Sequence, residues 1–351
     1  MRPTDNRKFI FLINPISGTR GKSSLQQLIA QKTSEKGIEY NILPTNAEGN
    51  YDFLRTVIER EGITDIVVCG GDGTVSAVMA ALQGSPTRVG IIPMGSGNGL
   101  AFAARIPKDP VKALDIIFSG KAALIDGFLI NDHFSCMLCG IGFDGKVAHE
   151  FALQHTRGLQ TYVKVTLKNF FTARPYPFRI TIPGAGGPAA ARGDPDIPAA
   201  AEGDPDIPAA AAGGKPAVPA VAGAASAGNG APLSLSVDAF FINVANGDQF
   251  GNHFTIAPKA SLEDGLLDIV VVKKAGRLSF LLSVFRQVLG GYAVQTRPGA
   301  KDRRQVLYFR TPSLEIANPE YAPLHIDGDP AAPSQELSIR IVPKAIWLIQ
   351  P

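Results

Sequence analysis

The run Val67-Val68-Cys69-Gly70-Gly71-Asp72-Gly73-Thr74-Val75 carries the most specific chemistry in the chain. An apolar stretch runs into three glycines and out into a helix-forming segment. Glycines let the backbone turn with positive φ and let a phosphate approach the main chain. The helix behind them offers unpaired N–H groups and its positive dipole end to that anion. Asp72 sets a carboxylate into this phosphate-friendly loop, a poor choice for passive anion binding. It is therefore expected to work through a cation or a substrate hydroxyl. Two further loops share this texture. Ile92-Pro93-Met94-Gly95-Ser96-Gly97-Asn98-Gly99 leads into a helical segment at 100–105, and Asn14-Pro15-Ile16-Ser17-Gly18 is followed by Arg20 and Lys22. A plain strand–turn–helix reading explains one such loop but not three, and together they read as a polyphosphate cradle. Arg20 and Lys22 either assist the phosphates or are solvated surface cations.

Aiming three loops at one ligand demands a parallel sheet. Apolar runs at 9–13, 39–43, 65–69 and 89–92 alternate with helical periodicity at 23–36, 51–61, 75–82 and 111–118. This alternation is that of a parallel sheet covered on both faces, and ligands bind at the carboxyl ends of such strands. Asn14, Gly70 and Pro93 all follow strands at that edge. A Rossmann-like nucleotide-binding α/β domain is expected over 1–126. From about residue 125 the texture changes. Strand-like segments at 124–130, 133–138, 178–182, 235–243, 266–272, 314–317 and 337–342 outnumber helical ones at 161–171 and 278–294. A mostly antiparallel β-sandwich over 127–342 is the natural reading, with 343–351 open to a return to the first domain. The segment 278–294, whose only charge is Arg286, reads as a core helix, with dipping into a membrane interface as the alternative. Residues 183–232 are dominated by Ala, Gly and Pro and repeat Gly193-Asp194-Pro195-Asp196-Ile197-Pro198 as Gly203-Asp204-Pro205-Asp206-Ile207-Pro208. Repeated Pro without an aromatic residue buries too little surface to offset ordering entropy. A disordered linker inserted between neighbouring strands of the sandwich is expected there.

Bulk properties exclude several classes. A length of 351 residues suggests about two domains. Net charge is +3, from 34 basic and 31 acidic residues, too mild for nucleic acid as the main partner. It is compatible with weak attraction to an anionic membrane surface. Residues 1–8 lack the apolar region of a signal peptide, and no apolar stretch of about 18 residues is present, so no transmembrane segment is expected. Three cysteines make no disulfide framework and point to the cytoplasm. Cys136 and Cys139 form a C-x-x-C within a run, 134–139, that reads as a strand, where positions three apart face opposite ways. Buried structural thiols are expected there rather than a redox or metal pair. A homodimer is left open.

Taken in order and spacing, Asn14-Pro15-x-Ser17-Gly18, Gly70-Gly71-Asp72-Gly73-Thr74 and Pro93-x-Gly95-Ser96-Gly97-Asn98 resemble the diacylglycerol kinase catalytic-domain family, which also holds sphingosine and ceramide kinases. Further along, Gly140-Ile141-Gly142-Phe143-Asp144, Asn243-Val244-Ala245-Asn246-Gly247, Ala257-Pro258-x-Ala260, Asp264-Gly265-x-Leu267-Asp268 and His325-Ile326-Asp327-Gly328-Asp329 are similar to its later motifs. The resemblance implies a phosphofructokinase- and NAD-kinase-like α/β domain joined to a lipid-binding sandwich, with ATP and lipid meeting between them. It implies an ATP-dependent lipid kinase acting peripherally at a membrane. Carried over by position, Thr45, Gly70, Gly71, Asp72, Gly73, Thr74, Val75, Ser76, Gly95, Ser96 and Asn98 would contact ATP, with Asn14 beside the phosphates. A Mg²⁺ held by one carboxylate and nearby carbonyls would fall on Ser261, Asp264 and Leu266, hard oxygen ligands of the kind that ion demands. The general base would be Asp329, with Asp72 as rival and Asp327 as supporting acid. Asp126 and Asp144 resemble family acids that complete the network or face the acceptor lipid.

The chain also departs from the pattern. Ser76-Ala77 stand where the family usually has Asn-Glu. Asn98-Gly99 replace the Asn-Asp of many bacterial diacylglycerol kinases and are closer to the sphingosine kinase form. Asp329 is one methylene shorter than the family's Glu, and a base must come within about 3 Å of its hydroxyl. Two other readings stay open: a soluble-metabolite kinase such as NAD kinase or phosphofructokinase, which share the Gly-Gly-Asp-Gly loop, and a catalytically weak nucleotide- or lipid-binding homologue.

Overall fold

The computed structural model describes residues 7–13, 22–46, 48–154, 156, 158–170, 172–183, 232–251, 254–273 and 306–351. Strands β1 (Lys8–Ile13), β2 (Glu39–Pro44), β3 (Asp65–Gly70) and β4 (Arg88–Pro93) pair in parallel in the order β2-β1-β3-β4. Helices α1 (Lys22–Lys36), α2 (Phe53–Glu61) and α3 (Asp72–Leu82) connect them, followed by α4 (Gly99–Ala103) and α5 (Pro110–Ser119). Every residue of β3 is buried, as a central strand covered on both faces must be. Its first residue is nevertheless charged. Asp65 accepts bonds from Arg7 at 2.6 and 3.1 Å and from Arg88 at 2.8 Å. Breaking such a buried pair costs about 3–5 kcal/mol. This knot clamps β1, β3 and β4 at their amino ends and leaves the carboxyl ends free to carry loops.

The second half comprises β5 (Lys121–Ile130), β6 (His133–Ser135), β7 (Leu138–Gly142), α6 (Phe143–Ala152), α7 (Leu159–Phe170), β8 (Tyr176–Ile182), β9 (Leu233–Ala245), β10 (Gln249–Gly251), β11 (Phe254–Thr255), β12 (Leu267–Lys273), β13 (Val306–Thr311), β14 (Ser313–Ala317), β15 (Leu324–Ile326), β16 (Asp329–Ala331) and β17 (Glu336–Gln350). Pairing among these strands is antiparallel. The long strand β9 pairs with β8 through its first half and with β7 and β12 through its second. Strands that change partners in this way close a sandwich. Its interior is apolar: Ile141, Ile242, Val244, Ile269, Leu314 and Ile339 are all buried. The fold is thus an α/β unit followed by a mostly antiparallel sandwich, as the residue pattern indicates.

The two units share strands. β17 pairs with β5 from the sandwich end to the chain end, and its Trp347 and Leu348 also pair in parallel with β4. The expected boundaries at 126/127 and 342/343 therefore fall inside β5 and β17, the second at a register shift between Val342 and Ile346. The run 134–139 is not one strand. It breaks at Cys136 and Met137, and Cys136 and Cys139 are both fully buried, their thiols pushed up by desolvation. Helix α6 has no counterpart in the sequence reading. Gly142, at φ 104 and packed against the Phe240 carbonyl, ends β7, and the helix starts at the next residue. Ile182 pairs directly with Leu233, so the Ala/Gly/Pro-rich insertion leaves and rejoins at one rung of the β8–β9 ladder. The insertion between its end residues, and the segment 278–294, lie outside the described residues.

Candidate active site

At the carboxyl edge of the parallel sheet the Met94 N–H donates to the Gly70 carbonyl at 2.9 Å. Beyond that rung the two glycine loops touch backbone to backbone. A Cβ on Gly95 would stand 2.5 Å from the Gly71 Cα, and one on Gly71 would stand 3.0 Å from the Gly95 Cα. Only residues without side chains permit this approach. Asn98 sits in the left-handed region at φ 59, which Asn tolerates better than most residues. Its amide staples the turn, accepting from the Gly95 N–H and donating to the Gly95 carbonyl, both at 2.8 Å.

Asp72 opens α3, and its carboxylate accepts the N–H groups of Asn98 at 2.6 Å and Gly99 at 2.7 Å. Through these two bonds it caps α4 from the neighbouring loop. Desolvation pushes its carboxyl up to about 6, against the pull of the two N–H bonds and with Asp327 and Asp329 adding to the rise. The first-turn N–H groups of α3 have no carbonyl within the helix to bond. Thr45 follows β2 and donates its N–H to the Ile13 carbonyl at 3.1 Å, which brings the end of β2 to the end of β1. Val75 is buried in the core and Ser96 is exposed. Asn14, Ser17, Gly18 and Arg20 lie outside the described residues.

The sandwich delivers its acids on a hairpin. Asp327 and Gly328, at φ 53 and 86, join β15 to β16, and Ile326 pairs with Asp329. Two positive φ values make a type I′ turn, for which Asp-Gly is a preferred pair. The buried Asp327 carboxylate accepts the Ser135 hydroxyl at 2.5 Å, the Leu138 N–H at 3.1 Å and, at short range, the Ser76 hydroxyl. Burial raises its carboxyl above the usual range despite these donors. Because Ser76 belongs to α3, Asp327 joins the two halves of the molecule. Asp329, two residues on, is exposed and overhangs α3. Its Oδ2 is 2.9 Å from where a Cβ on Gly73 would stand.

A second brace lies beside this hairpin. Asp126, buried in β5, accepts the Gly265 N–H at 2.7 Å and the Lys344 N–H at 2.8 Å. Within the loop it holds, Asp264 accepts the Leu266 N–H at 3.1 Å and pairs with Arg310 of β13, while Ser261 accepts the Glu263 N–H at 3.4 Å. A divalent cation on Ser261, Asp264 and Leu266 would have to displace a guanidinium from the single carboxylate. The loop as folded does not fit one. Among the described residues no group of three His, Cys, Asp or Glu side chains forms an alternative metal site. Asp144 opens α6 and is buried, with Oδ1 accepting the Gly145 N–H at 2.9 Å and Oδ2 lying 3.5 Å from His325 Nε2. The sequence reading missed Ser135 and Arg310. Their partners lie far away in the chain, and nothing in the local residue pattern marks them.

Residues 8–130 match the family model of the diacylglycerol kinase catalytic domain, and residues 138–350 match that of the YegS C-terminal NAD kinase beta sandwich-like domain. The chain belongs to the diacylglycerol kinase family of lipid kinases. A diacylglycerol kinase of Mycobacterium tuberculosis is 24% identical over 354 residues, covering 98% of this chain and 95% of the relative. A Xanthomonas oryzae pv. oryzae protein named "Probable lipid kinase YegS-like" is 24% identical over 324 residues, covering 90% and 88%. A solved diacylglycerol kinase structure from Bacillus anthracis str. Sterne superposes with a TM-score of 0.63 at 16% identity, covering 99% of this chain and 97% of that one, a likeness of fold. In this lipid kinase the two family matches meet around β6, the strand whose Ser135 holds Asp327. Among the described residues no helix is long and apolar enough to cross a membrane.

Proposed function

We propose that this lipid kinase transfers the γ-phosphoryl group of ATP to the hydroxyl of a diacylglycerol-like or sphingoid-like lipid, working in the cytoplasm at a membrane surface. The observation that carries the reading is Asp329 overhanging Gly73, which sets a carboxylate from the sandwich against the phosphate loop of the α/β unit. Phosphoryl transfer asks little covalent work of a protein; positioning and charge neutralisation dominate. The backbone N–H groups of Gly73 and Thr74 at the head of α3 hold the phosphates, with Asn14 beside them and Thr45 and Ser96 flanking the nucleotide. A Mg²⁺ ion arriving with the nucleotide would supply further neutralising charge to the phosphates. Asp329 orients the acceptor hydroxyl and takes its proton as the phosphoryl group arrives. Asp72 and Asn98 keep the two glycine loops in contact, and Asp327 keeps the hairpin docked on α3 through Ser76.

The deciding experiment offers γ-labelled ATP and a total lipid extract to the purified chain and identifies phosphorylated products by mass spectrometry. Label is expected in one class of lipid alcohol, and its identity names the acceptor. Label transferred to NAD and to no lipid would overturn the proposal. Nucleotide binding with no transfer to any acceptor would instead make this chain a catalytically weak homologue, in line with the shortened arm of Asp329.

A further inference from the structure

A histidine stands beneath the Asp327-Gly328 turn. His325 is fully buried in β15, two residues before Asp327. The Gly328 N–H donates to its Nδ1 at 3.3 Å. An Nδ1 that accepts carries no proton, so the neutral ring bears its proton on Nε2. That nitrogen faces Asp144 Oδ2 at 3.5 Å, too long for a good hydrogen bond but well within charge–dipole range. Among the described residues Asp144 Oδ2 is itself buried and has no hydrogen-bond donor.

The surroundings hold this arrangement in place. A Cβ on Gly140 would collide with both Asp144 Oδ2 and His325 Nε2, so the carboxylate and the ring occupy the space a side chain there would fill. The head of α6 is locked to the approach of β15, because the Gly142 N–H donates to the Pro323 carbonyl at 2.7 Å and a Cβ on Gly145 would strike that same carbonyl. His149 of α6 contacts the Leu324 carbonyl at 2.9 Å through Nε2. Helix α6 and the hairpin are thus packed together, and Asp144 and His325 link their interior to the turn.

We propose that His325 is a positioning residue. It fixes the Gly328 amide, and with it the direction of Asp329, and Asp144 acts through His325 rather than by touching the acceptor. The inference rests on the reading of Asp329 as the base. Neither residue is exposed to substrate, so their effect is on geometry. A displacement of the base by about 1 Å is enough to lower turnover by about 10²-fold.

The test uses the full-length chain and two variants. His325→Leu removes the acceptor for the Gly328 N–H. His325→Asn can still present an oxygen to it. With dioleoylglycerol in mixed micelles as acceptor, His325→Leu is expected to lower kcat by about 10²-fold with the KM for ATP unchanged, and His325→Asn to recover most of that loss. The nitrogen-15 spectrum of the wild-type imidazole is expected to show an unprotonated Nδ1. Wild-type kcat in His325→Leu would overturn the proposal. So would equal losses in both variants, or a protonated Nδ1. If the wild type transfers no phosphate to any lipid, the functional reading fails, and the imidazole spectrum still decides whether His325 holds the turn.

Discussion

The two halves of this kinase contribute to one site in opposite ways. The parallel-sheet half offers main chain: glycines in mutual contact, amides at the head of α3 and a left-handed Asn98. The sandwich half offers carboxylates on a hairpin whose turn is set by Asp327 and Gly328. Each half also contains a buried or half-buried aspartate held by backbone amides. Asp72 takes two backbone N–H groups of the second glycine loop, and Asp126 takes one from the Gly265 loop and one from β17. The difference teaches that acidity at this site is not a single function. Three acids, Asp72, Asp126 and Asp327, accept backbone or hydroxyl donors that join separate segments and act as braces, while Asp329 overhangs Gly73 of the first glycine loop.

Substitutions can break this contrast, beginning with the largest expected effect. Asp329→Asn should lower kcat by about 10³-fold while ATP affinity, measured by calorimetry, stays close to wild type. A comparable loss of ATP affinity would mean that the carboxylate belongs to the nucleotide site instead. Asp72→Asn replaces one of two acceptors with a donor facing an N–H, at a penalty of about 1–3 kcal/mol. It should cut kcat/KM for ATP by about 10²-fold with the fold intact by circular dichroism. Its pH behaviour is diagnostic. The folded state holds the Asp72 proton up to about 6, above its ordinary 3.8, so it binds that proton more tightly than the unfolded chain does. The contribution of this group to stability therefore falls as pH rises between those two values. Measured across that window, the urea midpoint of the wild type should fall relative to that of Asp72→Asn as pH rises.

Smaller effects sharpen the comparison. Gly95→Ala drives a Cβ into the backbone of Gly71 and should destabilise by about 1–3 kcal/mol, weakening ATP binding by about tenfold. The matching change in the sandwich, Gly328→Ala, meets nothing but must hold φ 86. It should cost about 1 kcal/mol and act on kcat rather than on ATP binding. Arg310→Met leaves the Asp264 carboxylate and the buried Asp268 carboxylate without their guanidinium. Its melting temperature should fall and then recover in part in millimolar Mg²⁺, whereas the wild-type value should be the same with Mg²⁺ or a chelator. Replacing 183–232 with a short turn should change turnover least. Ile182 and Leu233 are already paired, and at about 0.6 kcal/mol for each halving of the loop the shorter closure should stabilise the chain by about 2 kcal/mol.

Much of the first half was legible because its function is written in contiguous residues. A strand that ends in Gly-Gly-Asp-Gly and restarts as a helix is one short piece of chain, and β1 to β4 lie where the apolar runs fall. The second half was legible as strands but not as a site. Ser76, Ser135, Leu138 and Asp327 converge from distant parts of the chain, and no spacing announces that. Asp72 shows the limit within a single motif. Its place in the loop could be read, but its partners could not, because they are amides of another loop and amides carry no residue signature. Helix α6 escaped because its turn depends on Gly142 meeting the Phe240 carbonyl, a contact that exists only after β9 has folded beside β7.

By itself, then, the sequence determined the glycine loops, the alternation of strand and helix, the change to a sandwich and the family to which these motifs belong. Local backbone preferences and hydrophobic period decide such features, and both act over a few residues. Tertiary structure alone decided which acids are braces and which one overhangs Gly73, that β5 and β17 run through both units, and that Arg310 pairs with the carboxylate expected to hold a metal. Those outcomes depend on hydrogen bonds and charge pairs between segments far apart in the chain, and such partners exist only once the sheet has brought them within about 3 Å of one another.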